Sequence, residues 1–576
     1  MATRAIVVST SAGSIEGRLG RILEHFGVRT DALGVDAISA WPSGAGPGQE
    51  AFALFASLEA FTAMMRAAQA VRLIETATAV YLYPTTDRSA SEQALRQLEG
   101  WASSSLESLG TGPCSFVVSN DLAELDGPMA GISVSARPVP EDFVLQHTGA
   151  GTAVTRLLAA DGAPAFVRFE WHGVPVFLCT SAALVDIDQP VNGAFFDVKE
   201  HFCSLVPLVM FLTWACRDGM WRPLDTGACL IVDDPLLKRT YGFCDFGNLL
   251  ELMNRYDFTT NVAFIPWNWR RTSSSASQFF RREGRRFSIS IHGCDHTASE
   301  FGDTSIDQLD GKARLAQLRM RRHETRTGIA HDPIMVFPQG VFSSQTPGVL
   351  KRNGFIAAVN TELNPVDPSL NRTLIRDTWD VAIRRYGSFP IFTRRYASHG
   401  LENFAFDILI GKPCLIVSHH GSFKNDCAEV IDLVRGLHAL RGSLTWRSLG
   451  GVIRRAGRRR VRATGSEEIE MYSGDLLVSN TTQRPLSIVV RKKEDDPSFV
   501  AGVRGDRGDL EWTTDGDGIT FADTIPPGQD ARYAVGYTPL PAKPRPSRPM
   551  RFEASVLARR ILCEFRDEYW QPLMQR

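Results

Sequence analysis

The chain has 576 residues, 44% of them hydrophobic and 22% charged, the balance of a globular protein longer than one core usually serves. Its 63 Lys and Arg against 64 Asp and Glu leave a formal charge of −1, so no global field favours nucleic acid. Ten Cys without a paired or CxxC rhythm argue against a disulfide framework and predict reduced thiols in a cytosolic setting.

The N-terminus, MATRAIVVSTSAGS, opens on a short strand (Ala5 to Val8) rather than a signal-peptide apolar region, so a cytoplasmic location is expected. The loop from Ser9 to Ser14 precedes a predicted helix from Ile15 to Phe26. With Gly13 and small hydroxyls it resembles a phosphate cradle, but it lacks GxGxxG and Walker patterns and reads better as a plain βα turn. Gly44 to Gly48 make a loop. Alternation continues with a strand at Ala79 to Tyr83, a helix at Ser91 to Leu109 and a strand at Ser115 to Val118. Ala165 to Trp171 and Val174 to Leu178 form a hairpin about His172 and Gly173. Residues 1–220 thus predict a doubly wound α/β accessory domain, Rossmann-like or, from the similarity of GVPVFLCTSA, amidotransferase-like. Cys179 ends a strand but has no nucleophile-elbow pattern and reads as packing. The most apolar run, Cys203 to Cys216, is too short to span a bilayer and is interrupted by Pro207; it reads as a buried helix, and no transmembrane segment is expected.

Residues 221–460 carry strand patterns at 229–232, 259–265, 287–291, 334–337, 355–359, 373–376 and 414–418. Helical stretches such as Phe246 to Arg255, Ile306 to Thr327 and Pro347 to Asn353 lie between them. The pattern predicts an irregular (β/α) barrel, in which strand ends carry the chemistry. The first strand delivers Asp233 and Asp234; the third delivers His292, with His296 four residues on. One carboxylate and two imidazoles suffice for a divalent metal with an open position, zinc above all, and leave the second carboxylate free as a base. An Asp pair after a strand is otherwise a turn or a helix cap; the occurrence of both motifs at strand ends favours a site. Trp267 and Trp269 suit stacking on sugar faces or packing at the rim.

Helices are expected at Ala428 to Leu440 and Ser443 to Arg455. The run Arg454, Arg455, Arg458, Arg459, Arg460 and Arg462 reads as a solvated helix end rather than a patch for an anionic polymer. Short alternating strands from Glu467 to Tyr537 predict an antiparallel β-sandwich over 461–540. A Pro-rich linker and a helix from Phe552 to Tyr569 occupy 541–576. Leu557, Ile561, Leu562 and Phe565 form an apolar stripe expected to dock on another domain or a partner.

The central motifs resemble those of a divergent polysaccharide deacetylase of the NodB-homology class, carbohydrate esterase family four. That family carries an Asp-Asp pair, an H-[ST]-x-x-H pair, an R-x-P-x-G loop and a late strand ending in His. Here these stand as Asp233 and Asp234; His292 to His296, with Gly293 where Ser or Thr is usual; Val336 to Gly340, without the Arg; and Leu415 to His419, followed by His420. Arg376, Arg394 or Arg395 is left to replace the missing Arg, and Asp377 to Asp380 is a loose match to a fourth motif. The resemblance spans about residues 225–450. It implies a metal-dependent hydrolase of C–N amide bonds that removes N-acetyl groups from a glycan, glycan precursor or glycoconjugate. Asp234, His292 and His296 would hold the metal and Asp233 would be the base. His419, or else His420, would protonate the departing amine, and the Gln339 N–H would support the oxyanion. Trp267, Trp269, Pro338 and Asp377 would face substrate. The alternative is a non-catalytic carbohydrate-binding or assembly protein with a degenerate barrel, a reading the missing Arg favours. Homo-oligomerisation is left open.

Overall fold

The central strands are short, apolar and parallel. The computed structural model describes residues 2–10, 14–40, 51–67, 69–147, 153–367, 372–424, 427–442, 444–462, 465–541 and 550–570. Its central strands are β1 (Gly227–Asp233), β2 (Thr260–Phe264), β3 (Phe287–His292), β4 (Ile334–Val336), β5 (Ala357–Asn360), β6 (Ile391–Thr393), β7 (Arg395–Tyr396) and β8 (Cys414–His419). They pair in the order β6-β5-β4-β3-β2-β1-β8-β7, all parallel. The outermost strands, β6 and β7, are separated in sequence only by Arg394, so the chain itself bridges the seam of a nearly closed barrel. The two-residue strand period divides the apolar side chains. Cys229, Ile231, Val336, Val359 and Leu415 share one core with Leu449, Val452 and Ile453. The alternate residues Leu230, Val232, Val262 and Ile289 join the core under the surrounding helices.

Two features differ from the sequence reading. Residues 373–376 form no strand: Ile375–Trp379 is a helical turn, favoured because the Asp377 carboxylate accepts the Leu374 N–H at 2.9 Å. The strands the sequence concealed are β6 and β7, too short to show alternation. The helix expected from Ser443 begins only at Leu449. Thr445–Trp446 instead pairs beside β1, and Ser448 caps the helix by accepting the Gly451 N–H at 3.1 Å.

The N-terminal region is built on a nine-stranded sheet in the spatial order 29–34, 4–9, 52–57, 79–83, 174–179, 163–171, 155–160, 114–118, 133–136. The first five of these strands are parallel. The hairpin turns at His172 and Gly173, with φ of 47° and 76°, the left-handed pair that matches strand twist. The helix expected from Ser91 to Leu109 stops at Arg96, and Ser105–Ser108 is a strand. Residues 11–13 and 44–48 of the two predicted loops lie outside the described residues. Phe202–Ala215 is a helix buried almost all round, its Phe211 meeting Phe55, Tyr81 and Phe177 edge-on or tilted. One apolar core runs without a break from Ala2 and Val7 through this helix to Leu230 and Phe404. Cys179 is buried and its thiol is pushed up to about 11, chiefly by burial.

After the barrel, a six-stranded and a four-stranded sheet pack Ile469, Leu476, Val490, Phe521 and Tyr533 between them. The arginine run is neither a solvated helix end nor a free patch. Gly457–Val461 is a strand of the six-stranded sheet. Arg454 pairs with Asp332 and Asp475, Arg455 with Asp530, Arg458 with Asp380, Arg459 with Glu467, and Arg460 and Arg462 with Glu468. The last helix, Met550–Phe565, does not dock its apolar stripe on another domain of the chain, which leaves the alternative of a partner. Leu557, Ile561, Leu562 and Phe565 stay exposed, and the opposite, polar face lies over the barrel mouth.

Candidate active site

Asp233, the last residue of β1, stands in register with His419 at the end of β8. Arg394, on the seam, donates from Nη1 and Nη2 to the two Asp233 oxygens at 2.7 Å each. The Arg394 backbone N–H donates to Asn360 O at 3.1 Å, which fixes the seam. Of the three arginines left open by the sequence, only Arg394 reaches this carboxylate: Arg376 pairs with Asp188 at 2.9 Å and Arg395 with Asp407 at 2.6 Å. Burial alone would raise the Asp233 carboxyl, but Arg394 and then His292 outweigh it and hold it below the usual carboxylate range.

Asp234 follows at φ 77°, and His296 and Gln339 have φ of 57° and 58°. Left-handed backbone at non-glycine residues costs energy and collects at functional sites. Asp234 Oδ1 lies 3.3 Å from His292 Nε2 and 2.9 Å from His296 Nε2. This oxygen is buried and makes no hydrogen bond among the described residues. The three donor atoms lie within 4.8 Å of one another. His292 Nδ1 is 2.9 Å from Val336 O, so Nδ1–H donates there and the Nε2 lone pair faces the site. An orphaned carboxylate oxygen converging with two imidazole nitrogens fits a divalent cation. Burial would raise the Asp234 carboxyl; the two imidazoles overcome this and hold it well below its usual range.

The loop carrying His296 is pinned from beneath. Glu300 accepts the backbone N–H groups of Cys294, Asp295 and His296 at 2.9, 2.7 and 3.1 Å. Gly293, at φ 65°, has no room for a Cβ, which would lie 2.4 Å from both Glu300 Oε2 and Pro338 Cγ. Cys294, Asp295 and Glu300 also approach one another closely enough to suggest a metal. The three N–H donors on Glu300, and Arg319 on Asp295 at 2.7 Å, make the cluster a clamp instead.

Asp233, Asp234, His292, His296, Gln339 and His419 line one cavity of about 370 Å³. His419 is exposed on its wall, whereas His420 is buried beside Phe243 with Nε2 3.5 Å from Asp567 Oδ1. Geometry therefore gives His419, not His420, access to the cavity. Pro338 is buried and does not line the cavity. Trp267 and Trp269 do not line the cavity. The Trp267 backbone N–H donates to Cys294 O at 3.0 Å, and the Trp269 ring lies under Arg270 and Arg322 at 4.5 and 5.7 Å. Asp377 lies outside the cavity too, occupied by its helix turn and by Arg385 at 2.6 Å.

Sequence reasoning missed the roof. Glu564 pairs with Lys238 at 2.6 Å and also with Arg271, Glu568 pairs with Lys238 at 3.0 Å, and Asp567 accepts from Tyr241 Oη at 3.0 Å. These contacts set Arg559, Arg560, Cys563 and Arg566 of the C-terminal helix on the cavity wall. Their signal was the polar spacing 560, 563–564, 567–568 opposite the apolar stripe.

No family model matches the chain, and neither does any curated protein. Solved structures do. One is Agd3, described as a novel carbohydrate deacetylase, at 10% identity and a TM-score of 0.48, covering 93% of this chain and 98% of that one. Another is a putative polysaccharide deacetylase from Mycobacterium smegmatis, at 14% identity and a TM-score of 0.28, covering 40% of this chain and 90% of that one. A third is a CE4 family pseudoenzyme from Bacillus anthracis, at 10% identity and a TM-score of 0.24, covering 40% of this chain and 68% of that one. These three structures are thus a carbohydrate deacetylase, a putative polysaccharide deacetylase and a CE4 family pseudoenzyme.

Proposed function

We propose that the chain is a metal-dependent carbohydrate deacetylase that hydrolyses N-acetyl groups. One observation carries the reading: Asp234 Oδ1, buried without a hydrogen bond among the described residues, converges with His292 Nε2 and His296 Nε2 beside a carboxylate clamped by Arg394. Asp234, His292 and His296 would hold the ion, zinc by donor type. When bound, a divalent ion lowers the pKa of a water and polarises the acyl oxygen.

The remaining steps belong to the chain. Asp233, kept ionised and oriented by the Arg394 fork, takes the proton of the attacking water at a carboxylate oxygen. His419, on the wall of the same cavity, delivers a proton to the amide nitrogen, because expelling an unprotonated amine is prohibitive near neutral pH. The backbone N–H of Gln339, in the turn after Pro338, would support the developing oxyanion. The Arg394 fork on Asp233 supports the catalytic reading against the non-catalytic one that the missing loop arginine favours. The test is acetate release from chitin oligosaccharides, hyaluronan oligosaccharides and UDP-N-acetylglucosamine by zinc-loaded protein. Release that falls steeply in Asp233→Asn supports the reading; no release from any of the three, with metal bound, overturns it in favour of a binding protein.

A further inference from the structure

The C-terminal helix adds charge to the cavity that the deacetylation chemistry does not use. Around the cavity, Asp233 is neutralised by Arg394, and Asp567 by Arg566 at 2.6 Å. Asp234 faces the two imidazoles. Setting these pairs aside leaves Arg559 and Arg560 against Glu362 on the wall. Arg560 is the unusual member. The residue is 8% exposed and its buried Nε has no hydrogen-bond partner among the described residues. Its Nη2 stands 3.2 Å from His296 Nδ1 and 3.9 Å from Cys563 Sγ, neither of which is an anion partner. A buried guanidinium with an unsatisfied N–H costs free energy unless an acceptor arrives. The salt bridges from Glu564 and Glu568 to the barrel hold the helix that carries it, so the position is built rather than incidental.

Resting on the deacetylase reading, we propose that Arg559 and Arg560 form a subsite for an anionic group, a carboxylate or phosphate, carried by the sugar being deacetylated or by its neighbour. Guanidinium N–H pairs match such oxygens in a fork. An anion there completes the Arg560 Nε and places the acetamido group beside Asp233 and His419. The substrate class is therefore an acidic N-acetylated glycan or a phosphate-linked N-acetyl sugar, rather than a neutral chitin-like chain.

The experiment uses the full chain loaded with zinc and three probes: hyaluronan tetrasaccharide for the carboxylate, UDP-N-acetylglucosamine for the phosphate, and chitotetraose as the neutral chain. Binding is read by calorimetry in Asp233→Asn, which prevents turnover, and acetate release is read in the otherwise wild-type chain. One anionic probe should bind at least about tenfold more tightly than chitotetraose, the order expected of one charge-assisted pair. Whichever anionic probe wins identifies the source of the charge. Arg559→Gln and Arg560→Gln should collapse that ratio towards one through KM rather than kcat. Equal affinity for all three probes overturns the subsite. So does a loss in both variants that is the same for neutral and anionic probes, the mark of an arginine that only orders His296. A preference for an anionic probe without any acetate release would keep the subsite and refute the deacetylase reading, so the two fail separately.

Discussion

Asp233 and Asp234 are neighbours with opposite environments. Asp233 is clamped on both oxygens by Arg394, while Asp234 turns through a left-handed backbone to face two imidazoles. The proposed roles follow from that difference. Asp233→Asn should keep metal and lower turnover about a hundred- to ten-thousand-fold, the range of general-base catalysis. Asp234→Asn should lose metal, because an anionic ligand is gone. Metal content and acetate release measured on both variants check this, and the reverse pattern would exchange the roles. The pair was legible in the sequence because a run of apolar residues ended in two carboxylates. Arg394 was legible only as one of three arginines. Contact between residues 161 positions apart depends on barrel closure, which short strands do not announce.

The loop between β3 and the helix Ile306–Thr327 carries His296 and holds it in place from within. Glu300 gathers three successive N–H groups, and Gly293 makes room for it. Glu300→Ala would leave those donors buried and unpaired. We expect the His296 loop to loosen and zinc affinity to fall about ten- to a hundredfold, the usual effect of removing an outer support. Competition with a chromophoric chelator measures it, and an unchanged affinity would mean that the loop is held by Arg319 on Asp295 alone. The helix Ile306–Thr327 itself was read from its sequence to the residue, since 22 residues of helical pattern between a Ser305 cap and Gly328 leave little choice. The C-terminal helix was found, but not that its polar face is the one that meets the barrel. Amphipathicity says which face is apolar; here the salt bridges to Lys238 and Arg271 decide which face meets the protein.

At the scale of the whole molecule, the barrel is not free of its flanks. The core is continuous from the N-terminal sheet through Phe202–Ala215 into the barrel helices. Lys351, Glu494 and Lys492 form a buried chain of ion pairs at 2.7 and 2.6 Å between barrel and sandwich. A piece spanning 221–460 should therefore be aggregation-prone or molten by near-ultraviolet circular dichroism. A well-packed soluble fragment with native metal affinity would contradict this. The junction also titrates. His25 packs edge-on to Phe26 and Trp379 at 5.3 and 6.0 Å, and burial, helped by Arg458, pushes its pKa down to about 3. The unfolded chain thus binds this proton more readily. Stability from His25 is complete above about pH 6.5 and is lost as pH falls towards about 3. The slope has a ceiling of about 1.4 kcal/mol per pH unit, lowered by partial exposure of the ring. Denaturation midpoints of wild type and His25→Gln should converge as the pH falls from 7 to 4; parallel curves would remove His25 from the acid response. Such junctions escape a sequence reading because they pair residues from regions that each look complete alone.

The central claim is a metal centre built from Asp234, His292 and His296, and elemental analysis of the purified 576-residue chain tests it most directly. The predicted result is about one divalent ion per chain, zinc when zinc is supplied, falling to background in His292→Ala and in His296→Ala while the fold persists by circular dichroism. A folded wild-type protein that holds no ion after supplementation with zinc, cobalt or nickel would contradict it.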